Sequence, residues 1–201
     1  MSPTKTVFID IDTQHDFLDA DGALYVGGSE EITPNLATLF EYAASQNIPV
    51  ISSVDAHAAD DPEFADWPPH CVKGTPGCEK IDGTRLPGAV QLAAGAEVAD
   101  LPRLLVERGQ LIIEKPGLDM FHGPPATALI DQLDSDCFVV FGVATDYCVK
   151  CAVEGLLARG RNVALVTDAI RAVDPAAGEA LIAEWTAKGV KLVTTHQITG
   201  D

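Results

Sequence analysis

The chain has 201 residues and a formal net charge of −17, and 47% of its residues are hydrophobic. This composition is typical of a globular protein, and we expect one domain over residues 1–201. The negative charge argues against nucleic-acid and anionic-membrane partners. No apolar run approaches the roughly 18 residues that cross a bilayer, and residues 1–6 do not resemble a signal peptide, so a cytoplasmic protein is expected.

Short apolar runs alternate with segments of helical spacing. Strands are predicted at residues 6–11, 49–54, 110–113, 137–141, 162–167 and 191–194, and helices at 35–45, 101–108, 125–133, 146–159 and 176–188. The alternation predicts an α/β fold with a doubly wound parallel sheet of six strands in the order 3-2-1-4-5-6, covered by helices on both faces. Ligands of such sheets bind beyond the carboxyl ends of the strands, where the strand order reverses.

Residues with useful chemistry follow four of these strands. Asp12 follows the first, Asp55 and His57 the second, Lys115 the third and Cys148 the fourth. The long segment between the second strand and residue 101 is rich in proline and glycine and has little periodicity. We expect it to fold over the crevice and form one wall.

Cys148 lies just inside a predicted helix, with Thr145 or Asp146 as the expected N-cap. The helix dipole and Lys115 favour its thiolate, and Asp12 is positioned to accept the thiol proton. The alternative is a buried structural cysteine beside an ordinary ion pair at the sheet edge.

A second alternative is a thiol–disulfide oxidoreductase, because Cys148 and Cys151 form a C-x-x-C motif after a strand. Thioredoxin-like proteins carry that motif after an early strand, whereas here it follows the fourth. Cys151 is therefore interpreted as a core residue one turn along the helix.

Asp55, His57 and His70 form a candidate metal site, since one carboxylate and two imidazoles leave open positions for water or substrate. A hydrogen-bonded loop, or a zinc site built from His70, Cys71 and Cys78, are the alternatives. Phe17 and Trp67 flank these polar groups and either sandwich a flat ring or pack the loop onto the sheet.

Several segments together resemble the isochorismatase-like cysteine hydrolases, and within them the nicotinamidases and pyrazinamidases. The resemblance is collinear over nearly the whole chain, and it rests on these segments: Asp12-Thr-Gln-His-Asp-Phe17, Asp55-Ala-His57, Trp67-Pro-Pro-His-Cys-Val-Lys-Gly-Thr-Pro-Gly77, Lys115 and Gly142-Val-Ala-Thr-Asp-Tyr-Cys-Val149.

The resemblance implies an isochorismatase-like fold and a set of site residues. It implies a catalytic triad of Asp12, Lys115 and Cys148, and a cis peptide at Val143–Ala144. It also implies an oxyanion hole made by the amides of Ala144 and Cys148. A divalent ion, zinc before iron or manganese, would lie on Asp55, His57 and His70 and bind a ring nitrogen, with the ring between Phe17 and Trp67.

The expected activity is hydrolysis of nicotinamide to nicotinate and ammonia through a thioester. A related amidase acting on another small carboxamide or ureido compound is the alternative, followed by a non-catalytic interaction protein. A homo-oligomer is possible on this scaffold. His15 replaces the family's usual asparagine, and the segment from Lys115 to Phe121, which borders the substrate, is shorter than in typical nicotinamidases.

Overall fold

A computed structural model describes residues 5–200 of the chain. Its central feature is a seven-stranded sheet in which all neighbouring strands are parallel, in the order β3-β4-β2-β1-β5-β6-β7. The strands are β1 Thr6–Ile11, β2 Val50–Asp55, β3 Val90–Leu92, β4 Gln110–Lys115, β5 Cys137–Val143, β6 Val163–Arg171 and β7 Lys191–Val193.

The prediction of six strands is wrong, because the sheet has a seventh strand, β3, at one edge. β3 has three residues and lies inside the segment that was expected to be irregular. It forms because β4 offers it a backbone edge to pair with, and so short a strand leaves no periodic pattern to read. The other six strands keep the predicted relative order.

Helices cover both faces of the sheet. They are α1 His15–Leu18, α2 Thr33–Gln46, α3 Leu101–Arg108, α4 Pro124–Gln132, α5 Cys148–Ala158, α6 Pro175–Ala187 and α7 Thr195–Thr199. The short helices α1 and α7 were not predicted, since four or five residues cannot show a helical repeat. Within residues 5–200, no helix combines the length and apolar character needed to cross a bilayer.

Two hydrophobic clusters lie on opposite faces of the sheet. Alternate residues of β1 divide between them, with Val7, Ile9 and Ile11 on the face of α3, α4 and α5, and Phe8 on the face of α2. Burial on both faces is what an all-parallel sheet requires. The strand order therefore places the carboxyl ends of β4, β2, β1 and β5 side by side, and the functional residues follow those ends.

Candidate active site

Three polar side chains meet at the carboxyl edge of the sheet. Asp12 follows β1, Lys115 ends β4 and Cys148 begins α5. Lys115 Nζ lies 2.9 Å from Asp12 Oδ2 and 3.4 Å from Cys148 Sγ. All three side chains are buried. The fold thus brings together a carboxylate, an ammonium and a thiol that are more than 30 residues apart from one another in the chain.

Lys115 also connects Asp12 and Cys148 to Asp55, which belongs to a second group of polar residues. Its ammonium forms an ion pair with Asp55 Oδ1 and donates a hydrogen bond of 2.9 Å to the carbonyl of Gly117. Burial alone would lower the pKa of Lys115, but the carboxylates of Asp12 and Asp55 outweigh it and raise that pKa well above its ordinary value. Lys115 therefore keeps its charge at neutral pH.

Burial dominates the titration of the other two groups. It raises the pKa of the Asp12 carboxyl against the opposing charge of Lys115, and it raises the pKa of the Cys148 thiol well above its ordinary value. Ser53 Oγ donates to Asp12 Oδ1 at 2.7 Å, whereas Asp12 Oδ2, apart from its ion pair with Lys115, has no hydrogen-bond partner among residues 5–200. Cys148 therefore rests as a thiol, and Asp12 Oδ2 is the oxygen open to its proton.

The loop between β5 and α5 carries the backbone groups nearest the thiol. The peptide bond between Val143 and Ala144 is cis. Before it, Gly142 has φ of 115°, and a Cβ there would lie 2.0 Å from the carbonyl oxygen of Ile11. Only glycine allows this approach of β5 to β1. Among the backbone hydrogen bonds that residues 5–200 form outside their helices and strands, none is donated by the amides of Ala144 or Cys148.

The predicted N-caps of α5 are wrong. Tyr147 occupies the N-cap position, and no side chain caps the helix. Asp146 instead accepts hydrogen bonds of 2.9 and 2.8 Å from the amides of Val173 and Asp174. The side chain of Asp146 is thus used to tie the loop to the segment before α6, a contact that local sequence cannot reveal.

Asp55, His57 and His70 converge beside the first group. Their ligand atoms all lie within 4.8 Å of one another, and Nε2 of His57 and of His70 are 3.9 and 3.7 Å from Asp55 Oδ2. His57 Nε2 is buried and has no hydrogen-bond partner among the described residues. Two imidazole nitrogens and a carboxylate oxygen that face one point fit a transition-metal ion with open coordination positions.

The second nitrogen of each imidazole is held by the protein. Asp61 Oδ2 lies 3.1 Å from His57 Nδ1, and the carbonyl of Pro68 lies 2.8 Å from His70 Nδ1. Metal-binding histidines generally have this arrangement, because the outer partner fixes the tautomer that leaves Nε2 free for the metal. Asp61 was not predicted from the sequence, although its position four residues after His57 is a usable signal.

Replacing Asp61 with asparagine is expected to weaken metal binding about 10-fold, since outer partners of histidine ligands contribute a factor of this order. The measurement is a competitive chelator titration followed by metal analysis. Asp60→Asn is the matched control, because the exposed neighbouring carboxylate does not contact His57 in the structure. Equal metal affinity in the Asp61→Asn variant and the wild type would contradict the role assigned to Asp61.

The alternative zinc site with Cys71 and Cys78 is not assembled. The described residues contain two groups with metal-ligand geometry, the one above and His57, Asp61 and Glu63, and neither includes a cysteine. Cys71 is buried in the hydrophobic cluster on the α2 face. Burial raises the pKa of Cys78 to about 11, so its thiol stays protonated.

All five cysteines are free thiols, Cys151 among them. The attacking thiol of a redox C-x-x-C motif is its first cysteine, which has a lowered pKa, whereas burial raises the pKa of Cys148 as well as that of the half-buried Cys151. The surroundings of Cys151 contain no counterpart to the contact between Lys115 and Cys148. Because only Cys148 contacts a lysine, the two cysteines of the motif have different surroundings, which favours a nucleophile at Cys148 over a redox pair.

A cavity of about 110 Å³ opens onto both groups, lined by Asp12 and Cys148 on one side and Asp55 and His70 on the other. Phe17 and Trp67, which the sequence places beside these polar groups, line the same cavity. Other residues that were not predicted from the sequence also line the cavity, among them Tyr25, Glu63, Leu118 and Tyr147. Leu118 belongs to the short segment after Lys115, which therefore does contribute to the wall.

The aromatic walls are supported by other rings. The Trp67 ring lies edge-to-face with that of Tyr147, with centroids 5.8 Å apart, and the Phe17 ring is 5.6 Å from that of His70. Trp67 is 36% exposed and Phe17 is 7% exposed, so Trp67 lies toward the mouth and Phe17 toward the interior. A small flat molecule is the kind of ligand that such walls accept.

Known proteins resemble this chain in sequence and in fold. The Isochorismatase domain model matches residues 6–91 and 80–197. A nicotinamidase from Escherichia coli strain K12 is 28% identical, with 96% of each chain covered. A pyrazinamidase from Pyrococcus horikoshii, solved in complex with zinc, has a TM-score of 0.77 at 24% identity, covering 94% of this chain and 99% of that one. An N-carbamoylsarcosine amidase from Thermoplasma acidophilum has a TM-score of 0.74 at 22% identity, covering 96% and 97%.

Proposed function

This chain belongs to the isochorismatase family, and on that premise we propose that it is a cysteine amidohydrolase that converts nicotinamide to nicotinate and ammonia. The observation that carries the proposal is the position of Lys115. Its ammonium contacts Asp12 and Cys148 and also pairs with Asp55, so the candidate nucleophile and the candidate metal site share one cation. Both groups open into the same cavity.

The first half of the reaction transfers the acyl group to sulfur. The thiol of Cys148 attacks the carboxamide carbon, and its proton passes to Asp12 as the S–C bond forms. The carbonyl oxygen gains negative charge, which the free amides of Ala144 and Cys148 stabilise. Asp12 then gives the proton to the amide nitrogen, the C–N bond breaks, ammonia leaves and a thioester remains.

The second half releases the acid. Water attacks the thioester carbon and gives a proton to Asp12. The C–S bond breaks, the carboxylic acid leaves, and Asp12 returns the proton to the sulfur of Cys148. Throughout, Lys115 stabilises the thiolate form of Cys148 and the carboxylate form of Asp12, so neither needs a counter-ion from solvent.

Asp55, His57 and His70 are the residues that would hold a divalent ion, with zinc first and iron or manganese as alternatives. Such an ion would offer a ring nitrogen a coordination position and so orient the substrate. Phe17 and Trp67, which line the cavity, are proposed to hold the two faces of the ring.

A second candidate is an amidase acting on another small carboxamide or ureido compound. Two observations favour it. An amidase for N-carbamoylsarcosine has the same fold, and Leu118 of the short segment forms part of the cavity wall. The same triad chemistry applies to either substrate, so the choice depends on the wall and not on Cys148.

Ammonia release from a panel separates these candidates. The panel is nicotinamide, pyrazinamide, maleamate, N-carbamoylsarcosine, ureidoacrylate and biuret, each tested with metal-loaded protein. We expect nicotinamide and pyrazinamide to give the highest kcat/KM. A preference for a ureido compound would select the second candidate. Absence of turnover with every compound would contradict the amidase assignment itself.

We also propose that the enzyme is cytoplasmic and that its partner is a small molecule, not nucleic acid or a membrane. The net charge of −17 and five free thiols support this setting. A homo-oligomer is compatible with it, and light scattering of the purified protein measures the number of subunits.

A further inference from the structure

A second buried ion pair lies behind Asp12 and takes no part in the proposed chemistry. Lys80 Nζ is 2.6 Å from Asp10 Oδ2 and donates to Thr13 Oγ1 at 2.5 Å, and Thr13 Oγ1 donates to Asp10 Oδ1 at 2.9 Å. All three side chains are buried, and none of them lines the cavity. We call this the Asp10–Thr13–Lys80 cluster. Buried ion pairs are weak sources of stability, so the cluster calls for another explanation.

Thr13 is the centre of the turn that carries Asp12. The amide of Gln14 donates to the carbonyl of Asp12 at 2.8 Å, which closes a tight turn around Thr13. Asp12 itself has φ of 49°, in the left-handed region. Residues other than glycine seldom adopt that conformation unless their surroundings hold them in it. The hydroxyl of Thr13 accepts a hydrogen bond from Lys80 and donates one to Asp10, and these two bonds hold the turn in this conformation.

The same turn also holds the backbone of Asp55 in position. The side chain of Gln14 accepts from the Asp55 amide and donates to the Asp55 carbonyl, both at 2.8 Å. On the other side, the amide of Ile81 donates to the carbonyl of Thr13 at 3.0 Å, and Lys80 forms a β-bridge with Gln14. These contacts connect the turn at Thr13 to Lys80 and Ile81, which follow His70 in the long loop after β2.

We propose that the Asp10–Thr13–Lys80 cluster is a positioning device for Asp12, and that it sets the direction in which Asp12 Oδ2 meets the Cys148 thiol. Three apolar side chains of similar volume would fill the same space, but they would lack the directional hydrogen bonds that tie residue 13 to Asp10 and Lys80. The inference rests on the proposed function, because it assigns a role in the proton transfers of that reaction.

The first test changes only the hydroxyl of Thr13. Thr13→Val keeps the shape and removes the hydroxyl, and we expect kcat for nicotinamide to fall about 10- to 100-fold with KM within about twofold, as for a displaced catalytic group. Thr13→Ser keeps the hydroxyl and is expected to restore most of kcat. Thr84→Val is the matched control, since Thr84 is equally buried and its hydroxyl donates to the carbonyl of Ile81 at 2.9 Å.

The second test separates positioning from stability. In the double variant Asp10→Leu/Lys80→Met, an apolar pair replaces the ion pair, and we expect a urea midpoint close to that of the wild type. We expect kcat to remain lowered, at a temperature where the variant is fully folded. Wild-type kcat in this double variant, or in Thr13→Val, would overturn the proposal and leave the cluster a structural role only.

A third measurement needs no amide substrate. The rate at which iodoacetamide modifies Cys148, followed by peptide mass spectrometry, should shift in Thr13→Val in the same direction as in Asp12→Asn, and should not shift in Thr84→Val. A wild type that reacts at Cys148 but releases no ammonia would contradict the proposed function alone. An unshifted rate in Thr13→Val would contradict the positioning inference alone.

Discussion

Cys148→Ala is expected to abolish ammonia release from nicotinamide, with a loss of about 10⁴-fold or more, because no other group can form the thioester. The variant should keep its fold, since the side chain is buried beside apolar residues of α5 and the sheet and alanine fits that space. Steady-state assays of ammonia, circular dichroism and metal analysis together check the prediction.

Cys151→Ala is the matched control for Cys148→Ala, because it makes the same change one turn along the same helix. We expect it to keep activity within a few-fold of the wild type. Loss of amidase activity in Cys151→Ala, accompanied by disulfide exchange in the wild type, would favour the oxidoreductase. Ammonia release that persists in Cys148→Ala would refute the nucleophile assignment.

Lys115→Met is expected to reduce both activity and stability. The substitution leaves Asp12 and Asp55 buried without their shared cation, and breaking a buried ion pair in this way costs about 3–5 kcal/mol of unfolding free energy. Because the thiolate of Cys148 also loses its counter-charge, kcat should fall about 10³-fold. Urea unfolding and ammonia release measure the two effects separately.

Lys73→Met serves as the control for the loss of a lysine charge. Lys73 pairs with Glu114 at 2.8 Å, but its side chain is 56% exposed. Exposed pairs contribute about 1 kcal/mol or less, so stability and kcat should stay close to those of the wild type. A Lys115→Met protein as stable and active as Lys73→Met would contradict the central place given to Lys115.

Some of the fold followed from pattern alone. Five strands and five helices have enough residues to show their period, and β7, which has three residues, was predicted because it follows a helical pattern that ends at Gly189. The strand order could be inferred because parallel crossovers are short and right-handed. The edge strand β3 and helices α1 and α7 could not be inferred, because each has three to five residues and no strong helical pattern precedes β3 as one precedes β7. Such elements form where a neighbour completes their hydrogen bonds or covers their apolar face, and a neighbour is not a local property.

The candidate site divides in the same way. Asp12, Lys115 and Cys148 were selected because each follows a strand whose carboxyl end faces the same edge of the sheet. The supporting residues were not selected, including Ser53 on Asp12, Asp61 on His57 and the ring of Tyr147 on Trp67. Their side chains are chemically ordinary, and only the partner they reach gives them a function.

The sequence by itself thus determined which residue types stand at the carboxyl ends of four strands, because strand periodicity and strand order are properties of the chain. It also determined the family resemblance, since the matching segments are collinear. Only the tertiary structure decided that Lys115 reaches Asp12, Asp55 and Cys148 at once, and that Asp10, Thr13 and Lys80 meet behind Asp12. Apart from the contact between Asp10 and Thr13, these contacts join residues far apart in the chain, and their distances depend on how β1, β2, β4 and the loop before Ile81 pack together.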